Sequence, residues 1–177
     1  KYVNCLANWK AKCSGIKSHR YGKPALQGSG NGWKGWYKEY FFRSLLELSY
    51  IVNVLEKQKL KWISAEIKDL TISYVYFDGN PRTYRADFLV EDKILVECKP
   101  NKLLNSPLVK LKKEAAEKFC KKNDLVYQLI TPTMLTLAEL DLLYTTNNIQ
   151  FLPKYKEKYE KYRRENIGAL HGVATQR

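Results

Sequence analysis

The chain has 177 residues, a net charge of +13 and 45% hydrophobic residues. This length and hydrophobic content exclude an intrinsically disordered protein and a small domain that depends on cross-links. The sequence has no apolar run near the ~20 residues of a membrane span. The first twenty residues contain no apolar block typical of a signal peptide. We therefore expect a cytoplasmic protein with no membrane contact, whose four scattered cysteines are reduced thiols.

The first 38 residues contain eight Lys or Arg and no acidic residue. A segment of one charge sign repels itself unless a polyanion neutralises it, which favours nucleic acid over a merely solubilising surface. Six of the nine glycines also lie here. We therefore predict a DNA-binding arm over residues 1–38. The predicted nucleic-acid contacts are Lys10, Lys12, Lys17, Arg20, Lys23, Trp33, Lys34, Trp36, Lys38 and, just beyond the arm, Arg43.

Two features of the arm have alternative interpretations. Its aromatic residues could stack on bases, or they could pack on their own domain. Cys5, Cys13 and His19 cluster in sequence and could bind zinc. However, their spacing contains no C-x2-C pair, and a structural zinc site needs four ligands.

The next segment carries one helical pattern and then three extended ones. Apolar residues three and four apart predict a helix over residues 39–57. Alternation of apolar and polar residues predicts a strand over 62–77, which ends in a strong turn signal at 78–81. Further strands are predicted over 83–90 and 93–98, with a tight connection between them.

The second half of the chain predicts a helix over 108–122, a strand over 125–130, a helix over 133–147 and a charged helix over 154–165. In the first of these helices, Leu111, Ala115 and Phe119 are expected inside, and Lys112 is expected on or near the solvent side.

This order of elements predicts an α/β protein with a mixed sheet flanked by helices. We assign residues 39–150 to this core and residues 151–177 to a charged C-terminal helix or tail. No internal repeat is present.

Three residues of the predicted hairpin over 83–98 carry candidate chemistry. Side chains two apart in a strand share a face, so Glu97 and Lys99 project together. The short connection between the strands brings Asp87 near Glu97. Two carboxylates at the end of an apolar hairpin are costly unless they are compensated. A Mg²⁺ ion compensates them, and Lys99 could then stabilise a phosphate under attack or orient the attacking water. A plain surface strand pair with solvated side chains is the alternative.

Glu47 is a third acid, close to the apolar face of the predicted helix over residues 39–57. Packed against the sheet, it could reach the metal or its water. An ion pair with Arg43, four residues earlier, is the alternative. Each feature alone is weak, but together and in this chain order the four residues favour a nuclease.

A helical Glu, then Asp, then Glu-x-Lys resembles the PD-(D/E)XK nuclease superfamily. The segments Phe42-Arg43-Ser44-x-Leu46-Glu47, Asp87-Phe88-Leu89 and Val96-Glu97-x-Lys99 resemble phage Holliday-junction resolvases of the endonuclease I type. The spacing of ten residues from Asp to Glu and two more to Lys also matches. The Gly-rich Trp/Lys segment before them resembles mobile, homing-type phage endonucleases. The resemblance covers roughly residues 33–131, and Ala86 departs from it because the family name places Pro there.

The resemblance implies a Mg²⁺- or Mn²⁺-dependent endodeoxyribonuclease acting in the cytoplasm of the phage host. Asp87 and Glu97 would bind the metal with the backbone carbonyl of Cys98. Glu47 would bind a metal-linked water or a second metal, and Lys99 would orient the nucleophile. In-line attack would usually leave a 5′-phosphate and a 3′-hydroxyl.

Two roles compete within this class. One is cleavage of a duplex site by a homing-type enzyme, which the long basic arm favours. The other is cleavage of branched DNA by a resolvase, which we would expect to be a homodimer. The alternative from another class is a non-catalytic nucleic-acid-binding protein whose acidic residues are structural.

Overall fold

The computed structural model describes the backbone of residues 33–171 and the side chains of residues 33–165. These residues form two compact units. We call residues 33–48 and 135–171 the terminal unit, and residues 49–134 the central unit. Helices and strands occur in both, which confirms the mixed α/β class. Across residues 33–171, no helix is long and apolar enough to cross a membrane.

Nine strands are present in the described residues. In chain order they are β1 (Gly35–Tyr37), β2 (Tyr40–Phe42), β3 (Trp62–Ser64), β4 (Ile72–Val75), β5 (Pro81–Tyr84), β6 (Phe88–Val90), β7 (Ile94–Cys98), β8 (Val126–Ile130) and β9 (Ile149–Phe151). The helices are α1 (Leu45–Tyr50), which continues as a π-helical segment (Ile51–Glu56), a 3₁₀ turn (Lys68–Leu70), α2 (Asn101–Leu104), α3 (Pro107–Lys122), α4 (Leu137–Thr145) and α5 (Pro153–His171).

The central unit contains a four-stranded mixed sheet with the order β3-β6-β7-β8. The strands β3, β6 and β7 pair antiparallel, and β7 pairs parallel with β8. Two parallel neighbours require a crossover connection, and α3 lies within it. Ser106 caps α3 by accepting a hydrogen bond from Val109, and Pro107 occupies its first turn, where a proline fits. The predicted helix over 108–122 and strand over 125–130 are therefore confirmed.

The predicted strand over 83–90 is wrong as a single element. Its first part belongs to β5, which pairs with β4 in a separate two-stranded hairpin. Its second part is β6, which pairs with β3 and β7. The predicted strand over 62–77 is likewise divided, into β3 and β4 with the 3₁₀ turn between them. At the tip of the β4–β5 hairpin, Val75 and Phe77 are exposed.

The terminal unit contains a three-stranded antiparallel sheet with the order β2-β1-β9. The predicted helix over 39–57 therefore starts too early, because residues 40–42 form β2 and α1 begins at Leu45. The proposed boundary after residue 38 falls in the β1–β2 turn. Gly35 lies in the central strand, where a Cβ atom would come within 2.5 Å of the Gln150 carbonyl oxygen.

The C-terminal helices complete the terminal unit. The predicted helix over 133–147 is shorter, because a capping box of Thr136 and Glu139 starts α4 at Leu137. The predicted tail helix is confirmed as α5, with Tyr159 fully buried. The Tyr159 ring meets those of Trp33, Tyr144 and Phe151, and its hydroxyl donates to Asp141 at 2.9 Å.

Candidate active site

The ends of β6 and β7 bring Asp87 and Glu97 together. Asp87 directly precedes β6, whose first residue, Phe88, pairs with Val96, the residue before Glu97 in β7. The Asp87 N–H donates to the Val96 carbonyl, and the Asp87 carbonyl accepts from the Ala65 N–H, each at 3.0 Å. The negative charge of Asp87 also acts on the Glu97 carboxylate and raises its pKa. The two carboxylates therefore lie close together.

The backbone of the neighbouring strand also fixes the Asp87 carboxylate. Its Oδ2 atom accepts a hydrogen bond from the Cys98 N–H at 2.7 Å. Asp87 itself lies in a bend between β5 and β6, not in a strand. Its main chain and its carboxylate are thus both bound to the sheet at the point where the chain leaves the hairpin.

Glu97 is buried, with 6% of its surface exposed. Its Oε1 atom forms an ion pair with the Lys99 ammonium group. Within the described part of the chain, its Oε2 atom is buried and has no hydrogen-bond partner. Burial raises the pKa of Glu97, the negative charge of Asp87 raises it further, and Lys99 opposes both effects. A buried carboxylate oxygen without a donor is unfavourable unless a cation or water meets it.

Lys99 extends β7 at the same edge of the sheet. Its N–H donates to the Ile130 carbonyl at 2.9 Å, and its carbonyl accepts from the Thr131 hydroxyl at 2.6 Å. Its ammonium group contacts Glu97 and also lies 3.3 Å from the Cys98 carbonyl oxygen. Lys99 therefore touches two of the oxygen-bearing groups that sequence analysis assigned to a metal.

These oxygens fit a small hard cation. The Asp87 carboxylate, Glu97 Oε2 and the Cys98 carbonyl are the ligand types that Mg²⁺ accepts, and Mg²⁺ usually keeps several waters as well. Among the described residues, no group of three or more His, Cys, Asp or Glu could hold a metal. The protein ligands here would thus be two carboxylates and one backbone carbonyl, with water and phosphate completing the shell.

Glu47 belongs to the terminal unit, where its contacts are local. Its Oε2 atom accepts from the Arg43 N–H at 2.9 Å, and its Oε1 atom accepts from the Ser44 hydroxyl at 2.9 Å. The Ser44 hydroxyl in turn accepts from the Glu47 N–H at 3.2 Å. Ser44 and Glu47 thus make a capping-box-like arrangement at the start of α1. Sequence analysis missed this S-x-x-E signal because it placed the helix start at residue 39.

Lys112 is a site residue that sequence analysis placed on or near the solvent side. In the structure it is half-buried on α3, and burial lowers the pKa of its ammonium group. The charges of Glu97 and Asp87 raise that pKa, and the charge of Lys99 lowers it. The buried residues of α3 are Val109, Ala116 and Cys120, rather than the predicted Leu111, Ala115 and Phe119. The inner face of the helix is thus rotated toward Lys112.

Tyr84 and Tyr127 lie next to this group. Burial is the main cause that raises the pKa of each phenol, and the charge of Glu97 raises both further. Tyr127 is in β8, paired with Leu95 of β7, two residues before Glu97. The site is therefore a cluster of charged groups with two half-buried tyrosines next to it.

The predicted nucleic-acid residues divide into two groups. Lys10, Lys12, Lys17, Arg20 and Lys23 lie outside the described residues, as do Cys5, Cys13 and His19 of the possible zinc site. Among the others, Lys38 and Arg43 are exposed.

Trp33, Lys34 and Trp36 belong to the packed part of the terminal unit. Trp33 meets the rings of Phe151 and Tyr159 edge-on, and Trp36 is buried. These two rings thus follow the second of the two interpretations, packing on their own domain. Lys34 is only 2% exposed. The contact of Lys34 with DNA stays a prediction, and it would require this side chain to leave the packed part of the terminal unit.

Comparison with known proteins supplied no relative: no protein-family model matches the chain, and neither the curated proteins nor the solved structures include a significant match.

Proposed function

We propose that this protein is a metal-dependent DNA endonuclease with a PD-(D/E)XK-type core. The observation that carries the proposal is the buried Glu97 Oε2 atom, which has no partner among the described residues and stands beside a second carboxylate. The order of α1, β3, β6, β7, α3 and β8 supports the core assignment, because it repeats the predicted helix, strands, helix and strand. Asp87, Glu97 and the Cys98 carbonyl would hold Mg²⁺ or Mn²⁺.

The bound cation would supply a Lewis acid that activates water and neutralises phosphate charge. Side chains of the protein would hold the cation and position the water and the phosphate. The Cys98 N–H binds the Asp87 carboxylate, and Glu97 lies within β7. The two carboxylates are thereby held close together. Lys99, which forms an ion pair with Glu97, would orient the attacking water and stabilise charge that develops on the oxygens.

The charge of the chain supports DNA as the substrate. A net charge of +13 is placed mostly in the first 38 residues, which contain eight basic and no acidic residues. Phosphate contacts supply most of the affinity of non-specific DNA binding. We propose a duplex site as the substrate, as in homing-type enzymes, with a four-way junction as the alternative.

We extend the proposal to Glu47 on the resemblance alone. Its carboxylate accepts hydrogen bonds from Arg43 and Ser44 in the terminal unit. A role with a metal-linked water or a second metal would need one oxygen to be shared with, or released from, that turn. The effect of substituting Glu47 therefore has to be measured on protein stability as well as on DNA cleavage.

The test offers labelled four-way junction, linear duplex and single strand side by side in Mg²⁺, Ca²⁺ and EDTA. We expect cleavage in Mg²⁺ or Mn²⁺, binding with little turnover in Ca²⁺, and none in EDTA. Asp87→Asn and Lys99→Met should each lower cleavage by at least about a hundredfold. DNA binding should persist in both variants, because affinity comes mainly from phosphate contacts elsewhere.

The controls separate the classes of function. Asp124→Asn is the matched control, since Asp124 is an exposed acid that pairs with Lys93. Cleavage that survives EDTA, or an Asp87→Asn protein as active as the unsubstituted protein, would refute the proposal. Binding without cleavage under every condition would instead identify a non-catalytic nucleic-acid-binding protein.

A further inference from the structure

The inner face of α3 contains a charged residue. Val109, Ala116 and Cys120 are buried, and Lys112 falls on the same line, at spacings of three, four and four residues. Residues with these spacings share one face of a helix. A lysine on such a face is unfavourable unless its ammonium group finds compensation. Lys112 therefore requires an explanation that the exposed lysines of α3 do not.

Two tyrosines of the β4–β5 hairpin hold Lys112 in place. Its ammonium group lies 5.0 Å from the ring centre of Tyr84 and 5.8 Å from that of Tyr74. The Tyr84 hydroxyl donates to the Lys112 carbonyl oxygen at 2.7 Å. Lys112 thus connects α3 to the β4–β5 hairpin, and these contacts define the position of its ammonium group.

Among the described residues, the Lys112 ammonium group has ring contacts but no anionic partner. Within residues 33–165, it makes no salt bridge and donates no hydrogen bond. The charges of Glu97, Asp87 and Lys99 nevertheless act on it, so it lies within electrostatic range of the site. Three N–H donors therefore remain for a group that is bound there.

The charges of the cluster indicate what that group is. When both carboxylates are ionised, as binding of a cation requires, Asp87 and Glu97 carry two negative charges, and Lys99 and Lys112 carry two positive charges. Their sum is zero, so a divalent cation would leave an excess of positive charge that an anion can neutralise. Lys99 contacts Glu97, whereas the Lys112 ammonium group donates no hydrogen bond to any of the described residues.

We propose that Lys112 binds a non-bridging oxygen of a phosphodiester in the DNA strand at this site. The proposal rests on the proposed function for the identity of the strand, and it adds a phosphate-binding position that the Asp, Glu and Lys motif does not include. Tyr74 and Tyr84 are positioning residues, because they hold the ammonium group without contacting the phosphate.

The test compares Lys112→Met with Lys113→Met. Methionine keeps an unbranched side chain of similar length and removes the charge. Lys113 is the next residue, exposed and paired with Glu117, and it controls for the lost charge of α3. Binding of labelled duplex and four-way junction is measured in Ca²⁺ between 50 and 200 mM salt by fluorescence anisotropy. A melting curve establishes that each variant is folded, and Lys112→Gln replaces Lys112→Met if methionine prevents folding.

We expect the Lys112 variant to reduce the slope of log affinity against log salt by about 0.9. Over this fourfold rise in salt, the unsubstituted protein should lose about 3.5-fold more affinity than the variant, since one fewer contact releases counterions. Lys113→Met should leave the slope unchanged. An unchanged slope in a folded Lys112→Met protein would overturn the proposal and leave Lys112 a structural residue.

A second measurement locates the phosphate and does not depend on a change in stability. A neutral methylphosphonate is placed at the cleaved position or at one of its neighbours. If Lys112 binds that phosphate, the methylphosphonate should weaken binding by the unsubstituted protein but not further weaken binding by Lys112→Met. Equal losses in both proteins at every position would contradict the contact.

The two proposals fail in different ways. If the protein cleaves no DNA, the nuclease assignment is wrong, but the salt slope still reports whether Lys112 contacts a phosphate. If the protein cleaves DNA and Lys112→Met keeps the original slope and kcat/KM, only the phosphate contact is wrong.

Discussion

Replacing Glu97 by Gln should make the metal-free protein more stable at neutral and alkaline pH while abolishing cleavage. Burial and then the charge of Asp87 raise the pKa of Glu97 from 4.5 to about 7, despite the opposing charge of Lys99. The folded state thus holds this proton to a higher pH than the unfolded state does. The free energy of unfolding therefore falls as the pH rises from about 4.5 to about 7, and the loss is complete above that range.

The size of the effect follows from the same values. One pKa unit corresponds to about 1.4 kcal/mol, so ionised Glu97 costs the folded protein on the order of 3 kcal/mol at pH 8. Glutamine has a similar shape and does not ionise. The stability difference between Glu97→Gln and the unsubstituted protein should therefore shift in favour of the variant by about 2 to 3 kcal/mol between pH 5 and pH 8.

Urea unfolding in EDTA, followed by circular dichroism at several pH values, measures this difference. Glu117→Gln is the control, because Glu117 is an exposed glutamate of α3. Added Mg²⁺ should stabilise the unsubstituted protein by about 2.7 kcal/mol at a hundredfold excess over its Kd, and should leave Glu97→Gln unchanged. Parallel stability curves for the two proteins from pH 5 to pH 8 would refute the account of Glu97 as a strained buried acid.

Two deletions and two substitutions test the terminal unit and the arm. Deleting residues 1–32 should leave a folded protein and lower the slope of log affinity against log salt by about 0.9 per lost phosphate contact. Deleting residues 1–38 should instead unfold the terminal unit, because it removes the central strand β1. Circular dichroism measures the folding of each truncated protein, and fluorescence anisotropy measures its DNA binding. Gly35→Ala should lower stability by about 2 kcal/mol in a urea titration, since its Cβ atom would meet the Gln150 carbonyl, and unchanged stability would contradict that contact. Glu47→Ala should lower stability by about 1 kcal/mol through the lost cap, and a metal role would require a far larger loss of cleavage than of stability.

Local sequence patterns were sufficient to predict the strands and the helix around the site. The run from Ile94 to Cys98 is apolar apart from Glu97 and buried apart from the half-buried Ile94, and it forms β7 as predicted. The periodicity of α3 and the short apolar strand after it were also recognisable. The prediction that Asp87 lies near Glu97 needed only a short connection between two strands and the two-residue period of a strand. These signals depend on neighbours in the sequence.

Other features depend on partners far along the chain. The segment from Arg85 to Asp87 reads as continuous strand, but its two flanks pair with different strands, and no local signal marks the change. The face of α3 that meets the sheet was predicted about one residue away from the observed face, which hid Lys112. Three-residue strands such as β1 and β9 carry too little pattern to recognise before their pairing is known.

The separation of the β4–β5 hairpin from the central sheet has an evolutionary consequence. Asp87 is held in the sheet by three hydrogen bonds: it accepts from the N–H groups of Ala65 and Cys98 and donates to the Val96 carbonyl, and all three partners lie outside the hairpin. A Cβ atom added to Gly79, in the turn of this hairpin, would have no atom within 4 Å. Beyond Tyr74 and Tyr84, the tip can therefore lengthen or change sequence without moving the carboxylates. Divergence of substrate preference could proceed there while the chemistry stays constant, and the same tip is a natural position for grafting a new recognition loop.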